Sequence, residues 1–226
     1  MRKIALIALT SLPLFAGFFP STVYTSVKSI SAQEITMNNS FPLNGMSGII
    51  IHKYTPEVKA ITSRIIQTSK GHAVLSNIDV VHHEELPTIK TAVSRGDKII
   101  GGYLYGTILV LAPDATTYNK ITSSYNKHWI HPDLYAVYLS QEGEGKATRE
   151  NLRDFATMYH IGLIYIVKRD SAVLLDPISG KHVGKKAVGK LPAKAHIPFF
   201  MRFDEIKTGW FSQTASGSYY DLVEPL

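Results

Sequence analysis

The pattern of apolar and polar positions divides the chain into three stretches of different character. Arg2 and Lys3 open it, and a nearly continuous apolar run from Ile4 to Phe19 follows, interrupted at Pro13 and Gly17. A positive start before a short apolar run is the pattern of a secretory leader. The run falls short of the roughly 20 residues of a spanning helix. Small residues at Ser29, Ser31 and Ala32 place the expected cleavage after Ala32, so that residues 1–32 form a signal peptide, with an uncleaved N-terminal anchor as the alternative. Polar residues 33–44 read as a linker.

From Gly45 to residue 105 the pattern is that of strands and turns. Gly48–Tyr54 and the β-branched stretch Ala60–Thr68 each predict a strand, separated by the turn Thr55-Pro56-Glu57. Residues 74–81 alternate with a period of two, Leu86–Val93 predicts a further strand, and Lys98–Leu104 follows the turn at Gly96-Asp97. These segments predict an antiparallel sheet or a small barrel. After Gly106 the pattern changes. Thr107–Leu111 and Leu163–Val167 are apolar at consecutive positions, as strands covered on both faces must be.

Between them lie three helical patterns. Asp114 is an expected N-cap for a helix with Ala115, Tyr118, Ile121 or Thr122, and Tyr125 on one face. Asp133 is expected to cap a second helix, with Leu134, Val137 and Tyr138 on its apolar face. Thr148 caps a third, with Leu152, Phe155, Ala156 and Tyr159 inward and Gly162 as its stop. Ala172–Leu175 predicts one more strand before the turn Asp176–Gly180. The expected class is therefore α+β: an antiparallel β-rich part over 45–105 joined to a mixed α/β part over 106–184 with about three helices. Residues 185–226 form a basic and aromatic C-terminal segment of weak periodicity.

Composition narrows the function classes. An apolar fraction of 45% and a charged fraction of 19% describe an ordinary folded chain of 226 residues. The net charge is +6, and three of those charges (Arg2, Lys3, Lys28) lie in the first 32 residues, which hold no acid. The remaining +3 is too weak to predict nucleic-acid binding. The absence of cysteine excludes disulfides, thiol catalysis and zinc–thiolate sites.

No catalytic, metal or cofactor site is predicted. Gly184, Gly189 and Lys190 have the spacing of a phosphate-binding loop, but Leu191 replaces the hydroxyl residue and Pro192 stands where the helix must start. In His82-His83-Glu84-Glu85, adjacent side chains of a strand point to opposite faces and do not converge on one ion. His128, His131 and Asp133 are better spaced for a metal, and would serve a metal-dependent hydrolase, but Trp129 and Ile130 predict a packed segment. Asp154 and His160 are awkwardly spaced for an acid–base pair on a helix. Lys181, Lys185, Lys186, Lys190 and Lys194 stand out, because no acid occurs between Asp176 and Asp204. They predict either a lysine-protected edge or a patch that meets an acidic partner.

Six phrases in order, GMSGIIIHKY (45–54), ELPTIKTAVSRGDKII (85–100), LVLAPDATTYNKI (109–121), WIHPDLYAVYL (129–139), RENLRDFATMYHIGLIYIV (149–167) and LLDPISGKHV (174–183), resemble the N-terminal domain family of bacterial plasminogen-binding protein A. The resemblance covers about residues 43–184. It implies an exported, non-enzymatic protein in the periplasm or on the outer surface of a Gram-negative cell, with no cofactor, whose partner is host plasminogen. The alternative under the same resemblance is a periplasmic scaffold or assembly factor of the cell envelope. Plasminogen's kringle domains capture lysine by setting carboxylates against the ammonium, an aromatic trough against the stem, and cations against a nearby anion. The chain closes on Glu224-Pro225-Leu226, so the expectation falls on internal lysines. Lys181, Lys185, Lys186, Lys190 and Lys194 are chosen from their charge and expected exposure, since no motif of the family marks them. Contact with a membrane is expected only through the N-terminal segment, if that segment is retained.

Overall fold

The computed structural model describes residues 17–78, 91–206 and 217–226. Six strands close into an antiparallel barrel: β1 (Val23–Ser31), β2 (Glu34–Met37), β3 (Ser47–Lys53), β4 (Lys59–Ser69), β5 (His72–Leu75) and β6 (Lys98–Gly101). Their order is β1-β2-β5-β4-β3-β6, and β1 pairs β6 to close the ring. Inward side chains including Ile35, Met37, Ile50, Ile65 and Ile99 are buried and belong to one continuous core.

A second, mixed sheet has the order β11-β10-β9-β7-β8. Its strands are β7 (Thr107–Leu111), β8 (His128–Ile130), β9 (Leu163–Val167), β10 (Ser171–Asp176) and β11 (Lys181–Ala187). β7 runs parallel to β8 and β9, while β9–β10 and β10–β11 are antiparallel. The helices are α1 (Ala115–Ser124), α2 (Pro132–Gln141), α3 (Arg149–Met158) and the five-residue α4 (Tyr219–Val223). The fold is α+β.

The second sheet is the middle layer, which explains its two uninterrupted apolar strands. Ile108, Val110, Leu163, Tyr165 and Val167 point into the core shared with the barrel. Leu109, Leu111, Ile164 and Ile166 point the other way, against Tyr135, Leu139, Leu152 and Phe155 of α2 and α3. With both faces covered, β7 and β9 have no polar side to show.

The structure departs from the sequence-based expectations at several points. Residues 23–37 are neither the tail of a leader nor a linker: β1 and β2 form a hairpin, and a boundary after Ala32 would cut between two paired strands of the closed barrel. The packed chain starts earlier still, with Pro20 buried and Phe18 and Phe19 half-buried. The period-two stretch beginning at Val74 yields only β5, and its last residues, 79–81, lie outside the described residues, as do residues 86–90 of the strand expected at Leu86–Val93.

The N-cap of α2 is His131, not Asp133. The His131 imidazole Nδ1 accepts from the Asp133 amide, and Pro132 occupies the first helical position, where its missing N–H costs nothing. The helix is rotated accordingly, so Tyr135, Tyr138 and Leu139 are buried while Leu134 and Val137 are exposed. Helix α3 follows its prediction at the start, where Thr148 and Asn151 form a reciprocal capping box. At its end the left-handed residue is His160, at φ 54°, instead of Gly162. Gly162 is needed for another reason: a Cβ there would lie 2.1 Å from the carbonyl carbon of Leu104.

The described residues of the basic and aromatic C-terminal segment are packed into the domain. Phe199, Met201, Ile206, Tyr219, Tyr220, Val223 and Leu226 complete the core on the helical side of the sheet. The Tyr219 hydroxyl sits 2.8 Å from the Leu111 carbonyl and 2.7 Å from that of Val167, between the ends of β7 and β9.

Candidate functional site

β11 is an edge strand, and its residues alternate between β10's surroundings and solvent. Val183 is buried, while Lys181 and Lys185 are exposed. A bulge in the β10–β11 pairing falls between Leu174 and Leu175, opposite Gly184 and His182. Gly184 has no room for a side chain, because a Cβ would meet the Phe18 carbonyl oxygen at 2.5 Å. Together with its place in a strand, this accounts for the glycine that mimicked a phosphate loop. Lys190 and Lys194 follow on the segment after β11, both exposed.

Lys186 differs from its neighbours. Its ammonium donates to the Tyr125 hydroxyl at 2.7 Å and lies 4.6, 4.8 and 5.4 Å from the ring centroids of Phe18, Tyr125 and Tyr165. Burial works against its charge, but the Tyr125 and Tyr165 hydroxyls outweigh it and raise the pKa. Lys186 is charged and already committed to an aromatic box. Phe19 continues that cluster, packing edge-on against Tyr125 at 4.9 Å and lying beneath the Lys127 ammonium at 4.9 Å.

A second basic group, not foreseen in the sequence, stands beside Lys185. Lys168 donates to the Glu224 carbonyl at 2.8 Å, and Arg149 donates to the Leu226 carbonyl at 2.7 Å and also to that of Gly180. His182 Nε2 lies 2.8 Å from the Leu226 carbonyl oxygen. Desolvation is the first cause that lowers the Lys168 pKa; Glu224 opposes it, and the charges of Arg149 and Lys185 add to it. Burial also lowers the His182 pKa; its contact with Leu226 opposes this, and the charges of Lys168, Arg149 and Lys185 add to it. Positions 149, 168, 182 and 185 thus share one electropositive edge, although their sequence spacing carries no motif.

The other candidates are dispersed or engaged elsewhere. His128 is exposed on β8, whereas Asp133 is buried and accepts from the Arg202 amide at 2.8 Å and its guanidinium at 2.5 Å. Arg202 thereby ties the 198–206 segment to α2. Asp154 pairs with Arg153 at 3.0 Å. Among the described residues no three His, Asp or Glu side chains converge on a point. His82, His83, Glu84 and Glu85 lie outside the described residues.

One buried acid joins the two sheets. Asp176, fully buried at the end of β10, accepts through Oδ2 from the Ser47 amide at 2.8 Å and the Tyr105 hydroxyl at 2.6 Å. Its Oδ1 accepts from the amides of Ile178 at 2.9 Å and Ser179 at 3.0 Å. Burial pushes the carboxyl above its usual value, against the pull of these donors. Beside it, between barrel and sheet, lies a cavity of about 320 Å³ with Arg64 in its wall.

The geometry defines an α+β protein in which a closed barrel docks on a mixed sheet, with a lysine-bearing edge strand on the far side of that sheet from β8. A family model described as plasminogen-binding protein pgbA N-terminal matches residues 22–223, nearly the whole chain, and the chain belongs to that family. The match starts one residue before β1 and extends to the end of α4, so it includes the hairpin and C-terminal segment that the six phrases did not cover. Among curated proteins the chain is similar to plasminogen-binding protein PgbA of Helicobacter pylori strains J99 and 26695, in each case 23% identical over 192 residues. The aligned part is 79% of this chain and 42% of the relatives, so the chain spans less than half of their length. No solved structure matches it.

Proposed function

We propose that this chain is a non-enzymatic docking domain that acts outside the cytoplasm and binds plasminogen through exposed lysines of its 181–194 edge. The observation that carries this reading is the disposition of Lys181, Lys185, Lys190 and Lys194. All four residues are exposed, and the sequence between Asp176 and Asp204 holds no acid. Arg149 and Lys185 are close enough to Lys168 for their charges to lower its pKa, with Glu224 acting against them. A lysine stem standing free of the surface can enter a lysine pocket, whereas Lys186, held among three rings, cannot without breaking its own contacts. Family membership and the names of the Helicobacter relatives support plasminogen as the partner.

Plasminogen binding is tested on immobilised plasminogen with a lysine analogue as competitor. Binding is expected to be competed away, and to fall at least tenfold when Lys181, Lys185, Lys190 and Lys194 are all changed to Gln. Binding that survives the competitor, or a fourfold variant that binds as the parent does, overturns the proposal.

Export rests on the positive start and apolar run of the first 19 residues. Among the described residues no helix is long and apolar enough to cross a membrane. The packing of Phe18, Phe19 and Pro20 into the domain supports a leader that ends before Phe18. Mass spectrometry of the protein recovered from the cell envelope is expected to find Phe18 retained. Protease treatment of intact cells then separates surface display from a periplasmic location. A mature chain beginning at Gln33 rejects this boundary.

A further inference from the structure

We propose that the cavity between barrel and sheet is a binding site for a small uncharged apolar molecule, a ring system of about ten non-hydrogen atoms, held by the isoleucine wall and not by any charge. The site goes beyond plasminogen binding and does not depend on it. Its volume, about 320 Å³, is at the lower end of those that hold small ligands, and a junction between two packed units is where such sites recur.

Its wall is assembled from separate parts of the chain. Ile49 and Ile61 come from β3 and β4, Leu104 from the turn before β7, Ile161 from the turn after α3, and Ile178 from the turn after β10. Two contacts set the distance between these parts. Gly162 brings the chain after α3 against the backbone of Leu104 and Tyr105, with no room for a Cβ. Asp176 accepts from the Ser47 amide of the barrel and from the Ile178 amide of its own turn. Tyr103 and His160, both exposed, flank the opening.

The polar groups of that wall are engaged within the protein. Arg64 is buried and has its own interaction in the chain; burial lowers its pKa, and the Asp176 charge opposes this. Both oxygens of Asp176 are occupied by the four donors already named, and the Tyr105 hydroxyl is one of them. A charged ligand would give up its hydration beside groups whose partners are already in place, a loss that such a site does not return. An uncharged ring has no such hydration to lose, and both it and the isoleucine faces it covers leave water. Three rings of the wall, those of Tyr103, Tyr105 and His160, favour a planar partner, because aromatic pairs gain from offset and edge-on contacts beyond the area they bury.

The experiment uses indole as probe on the full chain, read by calorimetry and thermal unfolding at neutral pH. Indole-3-acetate and tryptamine carry the same ring with a negative and a positive charge. Saturable one-to-one binding of indole is expected, with a negative heat-capacity change and a melting temperature that climbs with indole concentration. Both charged relatives are expected to bind at least tenfold more weakly. Ile61→Trp and Ile178→Trp, which fill the cavity from half-buried positions on the barrel side and the sheet side, are each expected to weaken indole at least tenfold. The absence of saturation, binding of either charged relative within tenfold of indole, or indole binding unchanged in a filled variant that still melts cooperatively overturns the proposal. The charge series uses the parent chain alone and decides the matter even if neither filled variant folds.

Discussion

Replacing Asp176 with Ala tests whether one carboxylate holds the barrel on the sheet. The change strands four donors. The Ile178 and Ser179 amides lie in a half-buried turn, where water can replace the lost acceptor at a cost of about 0.5 kcal/mol each. The Tyr105 hydroxyl is buried and the Ser47 amide is partly so, and each is expected to cost about 1–3 kcal/mol when left unpaired. Removing a buried charge returns part of this. The net loss is expected to be about 3 kcal/mol, or roughly a 10 °C fall in melting temperature for a chain of this size. Tyr105→Phe removes one donor and leaves three, for an expected loss of about 1–2 kcal/mol. Urea unfolding followed by intrinsic fluorescence measures both, and the double variant supplies the coupling. If the two groups act through their shared hydrogen bond, Tyr105→Phe costs at least about 1 kcal/mol less in the Asp176→Ala background. A loss below about 1 kcal/mol for Asp176→Ala, or strictly additive losses, refutes the latch.

Four further outcomes follow from the same geometry. Because burial raises the Asp176 pKa, ionising it costs folding free energy, so the part of stability linked to that shift is complete below the ordinary aspartate range and is lost as pH rises through the raised value, while the hydrogen bonds to the carboxylate remain. Asp176→Asn, which does not titrate, should therefore gain relative to the parent as pH rises across that window, as read from urea midpoints at a series of pH values. A chain starting at Gln33 lacks β1, which opens the barrel and leaves β2 and β6 each with one partner instead of two, so it should show no cooperative melt by circular dichroism, whereas a chain starting at Gly17 should melt cooperatively; matching melts would contradict the closed barrel. Gly162→Ala forces a methyl into the Leu104 backbone and should cost about 3 kcal/mol, measured by urea midpoint. Lys186→Met removes a cation held by three rings and a hydroxyl and should cost about 1–2 kcal/mol while leaving plasminogen binding unchanged; a loss of binding would mean that Lys186 leaves its box to reach the partner.

What could be read in the sequence follows from which surfaces each element buries. β7 and β9 have the boundaries expected from their apolar runs, because two covered faces leave no polar residue to blur the ends. β1 was not legible. Only Val27 of its nine residues is buried, so it carries no alternation, and it follows the apolar run closely enough to pass for the tail of a leader. In α2, positions 134, 137 and 138 fit helical spacing as well as 135, 138 and 139 do, and the register turns on whether His131 or Asp133 caps the helix. Pro132 was the available signal, since proline at the first helical position places the cap immediately before it. Asp176 was legible as a turn residue, but its partners Ser47 and Tyr105 lie 129 and 71 positions away, and no local pattern reports such a meeting.

The lysine edge shows how one sequence feature can carry two physical roles and how the fold separates them. An edge strand needs charge to discourage pairing with another strand, and Lys181 and Lys185, on β11, meet that need whether or not a partner exists. Lys186 meets neither role, because its ammonium stabilises the packing of Phe18, Tyr125 and Tyr165. Lys190 and Lys194 lie beyond the strand and protect no backbone. Edge protection therefore accounts for Lys181 and Lys185 alone, and Lys190 and Lys194 are where the proposed partner contact is tested apart from it.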